Sequence, residues 1–296
     1  MYFIIIWALL YKYSTTGVHK PIAPPPVPFE LRLAQAIRNN MTKPVVLNDI
    51  LGEGAGAWDS EPRYDETTPV NCLIWLQQIL AEAYSPIATE RALVMDQLRY
   101  YGGVVSFATR KHYTEHWLHL EPGPFTRVAP ERCGKSKIFS VNLDPEKFLR
   151  SKQYSCPLFQ QKKISFDISY SRAEELEKCL PDLDTSRYYV LFAVPTKKYR
   201  ETYLVESGPM GLVHAMLLRP GDSLQKSIVY HASTSAGSVL AEQSSVFFER
   251  MKKLHLGYVI YGLTSDWDAK NDNIAISHPG YVDELVSLAR CERSLK

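Results

Sequence analysis

The pattern of apolar and polar positions changes character along the chain. Apolar residues recur at helical spacing in residues 29–39, 70–84 and 86–99, which predicts three helices. Beyond about Ile138 the chain turns to short runs rich in β-branched and aromatic residues, which predict strands. These runs are IFSVNL, ISFDISY, YYVLFAVP, LVHAMLL, SIVYHAS and YVIYGL, with helical interruptions at 171–178 and 245–253. Helices followed by strands indicate an α+β domain.

The N-terminus carries a separate apolar segment. Residues 2–10 read YFIIIWALL, which is too short for a membrane span of about 20 residues but matches the apolar core of a signal peptide. No Lys or Arg precedes it and no clear cleavage site follows, so a buried N-terminal strand is the alternative. Five prolines between 21 and 28 predict a stiff spacer. We expect a leader (1–18), a spacer (19–28) and one catalytic domain (29–296).

Composition narrows the class of protein. The 34 basic and 32 acidic side chains leave a net charge of +2, which does not favour nucleic-acid binding. A hydrophobic fraction of 45% is typical of a globular protein rather than a disordered one. Five cysteines leave at least one thiol without an intramolecular partner.

Cys72 falls in the first turn of the second predicted helix. Thr67 and Thr68 are candidate N-caps, and Pro69 fits the first turn. Because the start of a helix exposes unpaired N–H groups, it can lower the pKa of a thiol and hold an oxyanion. The alternative is that Cys72 is simply a small buried apolar residue, as most reduced cysteines are.

Two histidines flank a turn much later in the chain. His214 and His231 are equidistant from its midpoint, between Asp222 and Ser223, so a symmetric hairpin would place them directly opposite each other. Their Cβ atoms would then lie about 5 Å apart, close enough for one ring to orient the other. With Cys72 they form a papain-like set of nucleophile, base and orienting residue. Two half-buried structural histidines are the alternative.

Four sequence blocks support a family resemblance. LGEGAGAWDSEPRYDETTPVNC, LRYYGGVVSFATRKHYTEHW, GLVHAMLL and YHASTSAGSV resemble the NlpC superfamily of papain-like cell-wall cysteine peptidases, in its N-acetylmuramoyl-L-alanine amidase-like branch. The blocks occur in the family's order between about residues 45 and 261. The resemblance implies a papain-like, NlpC-type α+β fold with the nucleophile helix packed on an antiparallel β-sheet.

The resemblance also implies roles for individual residues. Cys72 would be the nucleophile, His214 the base and His231 the residue that orients it. The implied activity is hydrolysis of a peptidoglycan amide bond, at N-acetylmuramoyl-L-alanine or within the stem peptide. We expect a periplasmic or secreted monomer that binds muropeptides, uses no cofactor and could be tethered to a membrane by its leader. The residues assigned to substrate binding are Tyr64, Arg99, Tyr100, Arg110, His112, Tyr113, Trp117 and Ser233.

The chain departs from the family pattern at several positions. Asn71-Cys72-Leu73-Ile74 stands where the family usually has Asp-Cys-Thr-Thr, and Met216 replaces a glycine two residues after the base histidine. Bulk at Met216 is expected to narrow the cleft. The departures imply either a different substrate or weaker activity, so a non-catalytic murein-binding module stays open. Acyl transfer to lipids is disfavoured, because relatives with an Asn-Cys box have their histidine before the cysteine.

A zinc motif competes with the cysteine interpretation. His112, Glu115 and His116 fit the H-x-x-E-H pattern of inverted zinc peptidases, with His119 one turn further on. Glu174 or Glu175 would have to complete the ligand set. The remaining cysteines show no C-x-x-C spacing, and an exported domain would allow up to two disulfides whose pairing the sequence does not give. They are Cys133, Cys156, Cys179 and Cys291.

Overall fold

The structure is a computed structural model. It describes residues 26–46, 69–111, 118, 123–128, 136–144, 147, 164–203, 211–267, 287 and 289–291. The predicted leader and all but the last three residues of the spacer lie outside these ranges. None of the helices in the described ranges has the length and apolarity required to cross a membrane.

Six α-helices are described. They are α1 (Phe29–Asn39), α2 (Cys72–Tyr84), α3 (Ala88–Arg99), α4 (Ala173–Cys179), α5 (Lys197–Tyr203) and α6 (Ser244–Met251). The bounds predicted for α1 are confirmed, but not every apolar residue of the segment is buried, because Leu31 is 60% exposed. The buried face instead carries Phe29, Leu33 and Ile37. At 100° per residue, Leu31 points away from Phe29 and Leu33, so it faces solvent.

Eight strands build two antiparallel sheets. They are β1 (Phe125–Arg127), β2 (Lys137–Leu143), β3 (Ile164–Tyr170), β4 (Tyr189–Pro195), β5 (His214–Arg219), β6 (Ile228–Ser233), β7 (Ser238–Gln243) and β8 (His255–Leu263). The main sheet has the order β1-β8-β4-β5-β6-β7, while β2 and β3 pair separately. Every described pairing between these strands is antiparallel, so the predicted α+β class with an antiparallel sheet is confirmed. The short β1 and the half-polar β7 were not predicted.

The main sheet is covered on both faces, which explains why β4 is buried along its whole length. One face forms the α2-side core with α1 and α2, and the other forms the α6-side core with α4 and α6. Val190 and Phe192 contribute to the α2-side core, whereas Leu191 and Ala193 contribute to the α6-side core. This alternation assigns each strand residue near the site to one face of the sheet.

The small sheet is joined to β8 at a close backbone approach. Ser171 and Tyr258 exchange two backbone hydrogen bonds, of 2.9 and 2.8 Å. A Cβ atom at Gly257 would lie 2.3 Å from the Ser171 carbonyl oxygen, so only glycine fits there. This contact fixes the part of β8 that carries His255 and Tyr258.

Candidate active site

Cys72 is the first residue of α2, and Asn71 caps the helix. The Asn71 side chain accepts a hydrogen bond from the Ile74 backbone N–H at 2.8 Å. The predicted capping role of Thr67 and Thr68 is therefore wrong, because the helix begins four residues after Thr68. Asn71 is extended, which lets its short side chain fold back onto an N–H of the first turn. The side-chain oxygen of Asn71 thus satisfies one of the unpaired N–H groups at the start of α2.

The Cys72 thiol is partly buried against the α2-side core. It contacts the backbone N–H groups of Cys72 itself, Leu73 and Ala215, and these contacts favour the thiolate. Burial is the larger effect, however, and it raises the pKa of the Cys72 thiol. The expectation that the helix start would lower this pKa is wrong, because desolvation of the charged sulfur outweighs the backbone donors.

The two histidines of the hairpin are in contact. His214 Nε2 and His231 Nδ1 lie 3.2 Å apart, with the rings nearly perpendicular. The predicted register is wrong by two residues, because His231 pairs with Met216 instead of His214. A shift of two residues keeps side chains on the same face, so the rings meet diagonally.

The turn of this hairpin explains the shifted register. Ser227 accepts a hydrogen bond from the Gly221 N–H at 2.9 Å and donates one to the Ser223 carbonyl at 2.8 Å. The connection therefore extends to Ser227, and its centre lies one residue later than the sequence symmetry suggested.

His231 also contacts an ion pair, formed by Glu242 and Arg250, that was not predicted from the sequence. Its Nε2 lies 2.6 Å from Glu242 Oε2, and an Arg250 guanidinium N–H donates to the same oxygen. We call His214, His231, Glu242 and Arg250 the histidine relay. Glu242 follows from the β6–β7 pairing, which places it beside Val229 and on the same face as His231. Extending the hairpin reasoning through the TSAG turn would have found it.

A third histidine lies beside the relay. The ring centroids of His214 and His255 are 6.2 Å apart, and His255 Nδ1 lies 3.1 Å from the Tyr258 hydroxyl. Burial lowers the pKa of His255 to about 3, with smaller contributions from its neighbours His231 and Arg250. Burial also lowers the pKa of His214, to well below its ordinary value, and that of His231, where it outweighs the Glu242 carboxylate. All three imidazoles are therefore neutral at pH 7.

The thiol and the imidazole approach β5 from different sides. Cys72 contacts the N–H of Ala215, the residue after His214, from the α2-side core. His214 shares its face with Met216, which belongs to the α6-side core. Within the described residues, the thiol makes no hydrogen bond to the His214 ring. His214 Nε2 is occupied by His231, which leaves Nδ1 as the ring nitrogen available to a thiol.

The departures from the family pattern are explained by packing. Met216 is fully buried in the α6-side core, so its bulk fills that core instead of narrowing a cleft as expected. Ile74 is 6% exposed, and Leu73 packs partly buried against the α2-side core. Apolar residues at these positions therefore stabilise the start of α2.

Three predicted binding residues lie together at the end of α3 and in the loop that follows it. Tyr100 and Arg110 form an isolated antiparallel bridge, and the Arg99 carbonyl accepts from the Lys111 N–H at 2.7 Å. The Arg99 guanidinium lies 5.5 Å from the centre of the Tyr100 ring. Arg99 and Arg110 are each only 4% exposed, so the loop leaves little of either charge open to a substrate.

Ser233 ends β6 on the same face as His231. Its hydroxyl lies 3.1 Å from that of Ser235 and accepts a hydrogen bond of 3.4 Å from the Ala236 N–H. These bonds close the β6–β7 turn, so Ser233 has a structural role beside its predicted binding role.

The other predicted site residues lie outside the described ranges. They are Tyr64, His112, Tyr113 and Trp117, together with Glu115, His116 and His119 of the zinc motif. Of the proposed completing ligands, Glu175 forms an ion pair with Lys178 at 3.0 Å on α4. No group of three or more potential metal ligands occurs in the described parts of the chain.

The cysteines divide into two chemical states. Cys179 is buried and disulfide-bonded, whereas Cys72 and Cys291 are reduced. Cys133 and Cys156 lie outside the described residues. Of the disulfides that the sequence allows, the structure therefore contains one at Cys179.

Comparisons with known proteins give one matching family model and several similar solved structures. A family model for N-acetylmuramoyl-L-alanine amidase-like proteins, named AmiA-like, matches residues 41–189, which include Cys72 but not His214. A Legionella pneumophila protein of the DUF1460 family is similar in structure, with a TM-score of 0.62, 12% identity and coverage of 80% of this chain and 90% of its own. An N-acetylmuramoyl-L-alanine amidase from Bacteroides uniformis has a TM-score of 0.57, 15% identity and coverage of 79% and 98%. At these identities the two structures show the fold alone. No curated protein sequence gives a significant match.

Proposed function

The chain belongs to the N-acetylmuramoyl-L-alanine amidase-like family, and on this premise we propose that it is a cysteine amidase. Its proposed substrate is a muropeptide, cleaved between the lactyl group of muramic acid and L-alanine. A γ-D-glutamyl bond within the stem peptide is the near alternative. We further propose that the fold is of the papain-like, NlpC type.

One observation carries the proposal. A cysteine at the start of a buried helix touches the strand residue that follows His214, and the Nε2 of His214 is already held by His231. A nucleophile, a base beside it and a group that orients the base are the parts needed for acyl transfer.

The pKa shifts favour a resting state in which the Cys72 thiol and the His214 imidazole are both neutral. Burial raises the pKa of Cys72 and lowers that of His214, so at pH 7 the proton stays on sulfur. The base therefore has to remove the proton during attack, as in general-base catalysis. This step requires the thiol to come within reach of His214 Nδ1, because in the structure it contacts the backbone of β5 and not the ring.

The reaction then follows from the groups at hand. The sulfur attacks the amide carbonyl as His214 takes its proton, and the N–H groups of Cys72 and Leu73 stabilise the oxyanion. Collapse of the tetrahedral intermediate breaks the C–N bond, and His214 returns the proton to the leaving amine. Water, deprotonated by the same ring, releases the acyl group from sulfur and restores the thiol.

We also propose that the protein works outside the cytoplasm. Its target would be peptidoglycan, and the apolar leader with its proline-rich spacer fits delivery across a membrane. The disulfide at Cys179 supports the same location, because disulfides persist in oxidising compartments.

The test is a Cys72→Ala variant assayed on defined muropeptides by mass spectrometry. We expect cleavage to fall by at least about 10³-fold, because in the proposed mechanism the Cys72 thiol is the group that forms the acyl intermediate. Cys291→Ala is the matched control, since it removes the other reduced cysteine among the described residues and should retain activity. Full cleavage by Cys72→Ala would rule out the thiol mechanism, and loss of that cleavage on chelation would favour the zinc alternative.

A further inference from the structure

Glu242 stands outside the three proposed catalytic residues, yet it makes the shortest contact in the relay. Its Oε2 lies 2.6 Å from His231 Nε2, and its side chain is only 19% exposed. The same oxygen accepts an N–H from Arg250, whose guanidinium also lies 5.7 Å from the centre of the Phe247 ring. The Phe247 ring in turn packs against His231, with centroids 4.9 Å apart. Arg250 and Phe247 thus hold the carboxylate and the imidazole together from α6.

The chemistry of these groups fixes where the protons lie. An ionised carboxylate can only accept hydrogen bonds, so His231 must carry its proton on Nε2. A neutral imidazole has one proton, and therefore His231 Nδ1 is an acceptor. The 3.2 Å contact between His231 Nδ1 and His214 Nε2 then requires the proton to belong to His214. Neutral His214 consequently has its lone pair on Nδ1.

From these proton positions we infer that Glu242 is a positioning residue. It sets the tautomers of His231 and His214, so that His214 presents an unprotonated Nδ1. This inference rests on the proposed function, because it concerns the base of the same reaction. Without the carboxylate, each ring could carry its proton on either nitrogen. In half of the resulting arrangements, His214 would point an N–H at the thiol and could not accept its proton.

The surroundings of the relay favour the neutral state that the inference requires. The charged and titratable groups that face the two rings are Glu242 on β7, Arg250 on α6, and His255 and Tyr258 on β8. Burial lowers the pKa of both His214 and His231, and the positive Arg250 adds to this effect. Arg250 also donates an N–H to Glu242 Oε2, so this oxygen is an acceptor in both of its contacts.

The first measurement is direct and needs no substrate. The full chain is labelled with ¹⁵N-histidine, and the ring nitrogen shifts at pH 7 report the tautomers. We expect His214 and His231 both to be protonated on Nε2 and unprotonated on Nδ1. A protonated Nδ1 on His214 in the wild-type protein would overturn the inference.

The second measurement compares two variants of Glu242 whose new side chains are close in length to that of glutamate. Glu242→Met removes the acceptor, so we expect mixed tautomers and a kcat about 10- to 100-fold lower, with KM within about twofold. Glu242→Gln retains an acceptor, because Arg250 directs the amide oxygen towards the shared position. It should therefore keep the wild-type tautomers and most of kcat. Glu249→Met is the control, since Glu249 is 70% exposed and pairs with Lys252.

The outcomes separate this inference from the proposed function. If Cys72→Ala abolishes cleavage while Glu242→Met retains both wild-type tautomers and kcat, the thiol mechanism stands and the role of Glu242 is refuted. If the tautomers shift as expected in Glu242→Met but Cys72→Ala still cleaves, the positioning by Glu242 stands and the proposed function fails. Should Glu242→Met not fold, the wild-type tautomers and the Glu242→Gln variant still decide the question.

Discussion

The two faces of the main sheet bury different kinds of side chain. On the α2 side, strand residues such as Phe192 and Leu217 pack against Leu76 and Ile79 in an apolar core. On the α6 side, the same strands pack against Phe247 and Phe248, but His231 and His255 are buried there as well. Cys72 lies at the edge of the first face and the relay lies on the second, with the start of β5 between them.

The α2 side therefore contributes mainly to stability, whereas the α6 side carries the histidines of the proposed reaction. Apolar burial on the α2 side is insensitive to pH and holds the nucleophile helix in place. The α6 side carries neutral histidines whose burial costs free energy as soon as they must be protonated. Mutations on the two faces should therefore differ in how their effects depend on pH.

The largest effect is expected on the α2 side. Leu76→Ala removes a fully buried side chain from the face that joins α2 to the sheet, which should lower the free energy of unfolding by about 2–5 kcal/mol. Urea denaturation at pH 7 and at pH 5 should give the same loss, because no titratable group is involved. Leu76→Met nearly conserves volume and should cost less than about 1.5 kcal/mol. If the loss of unfolding free energy depended strongly on pH, the α2 side would not be the pH-insensitive face.

Much of this fold could be predicted from the sequence, because apolar patterning identifies elements that are buried. The run YYVLFAVP predicts β4 since every residue of that strand is buried. β7 was missed because it lies at the sheet edge and its residues are mostly partly exposed or exposed, including Glu242. β1 has three residues, which is too short for any periodicity to be recognised.

The second effect is an acid sensitivity on the α6 side. The pKa of His255 is lowered from 6.5 to about 3, so between these values the unfolded chain binds more protons than the folded one. Stability is therefore full above about pH 6.5 and falls as the pH drops towards 3. Each such histidine should remove up to about 1.4 kcal/mol of unfolding free energy per pH unit.

Two variants isolate the contribution of His255. His255→Asn keeps a hydrogen-bond partner for the Tyr258 hydroxyl but cannot be protonated, so the acid slope should become shallower. Tyr258→Phe loses the same hydrogen bond yet leaves the imidazole, so it should lower stability at every pH without changing the slope. Equal acid slopes for wild type and His255→Asn in urea denaturation would show that this histidine is not the cause.

The site was harder to predict than the fold because its parts depend on exact register. The equal distance of His214 and His231 from the turn predicted that they lie side by side. The strand register assumed for this prediction was wrong by two residues. Glu242 could be found only by adding a third strand, whose start is set by the β6–β7 turn. The pKa of Cys72 could not be read from its place on a helix, because that pKa depends on how deeply the neighbouring strand buries the thiol.

The smallest effect is expected at the N-cap of α2, on the α2 side of the sheet. Asn71→Ala removes the acceptor for the Ile74 N–H and should lower the free energy of unfolding by about 0.5–2 kcal/mol. Asn71→Asp keeps the acceptor, so its stability should match wild type, but its negative charge beside the thiol should raise the pKa of Cys72 further. Iodoacetamide alkylation of Cys72 at pH 8 should therefore be slower in Asn71→Asp than in wild type. If Asn71→Ala changed neither stability nor alkylation, the cap would not be what holds Cys72 at the start of α2, and the core contacts of Leu73 and Ile74 would have to do so alone.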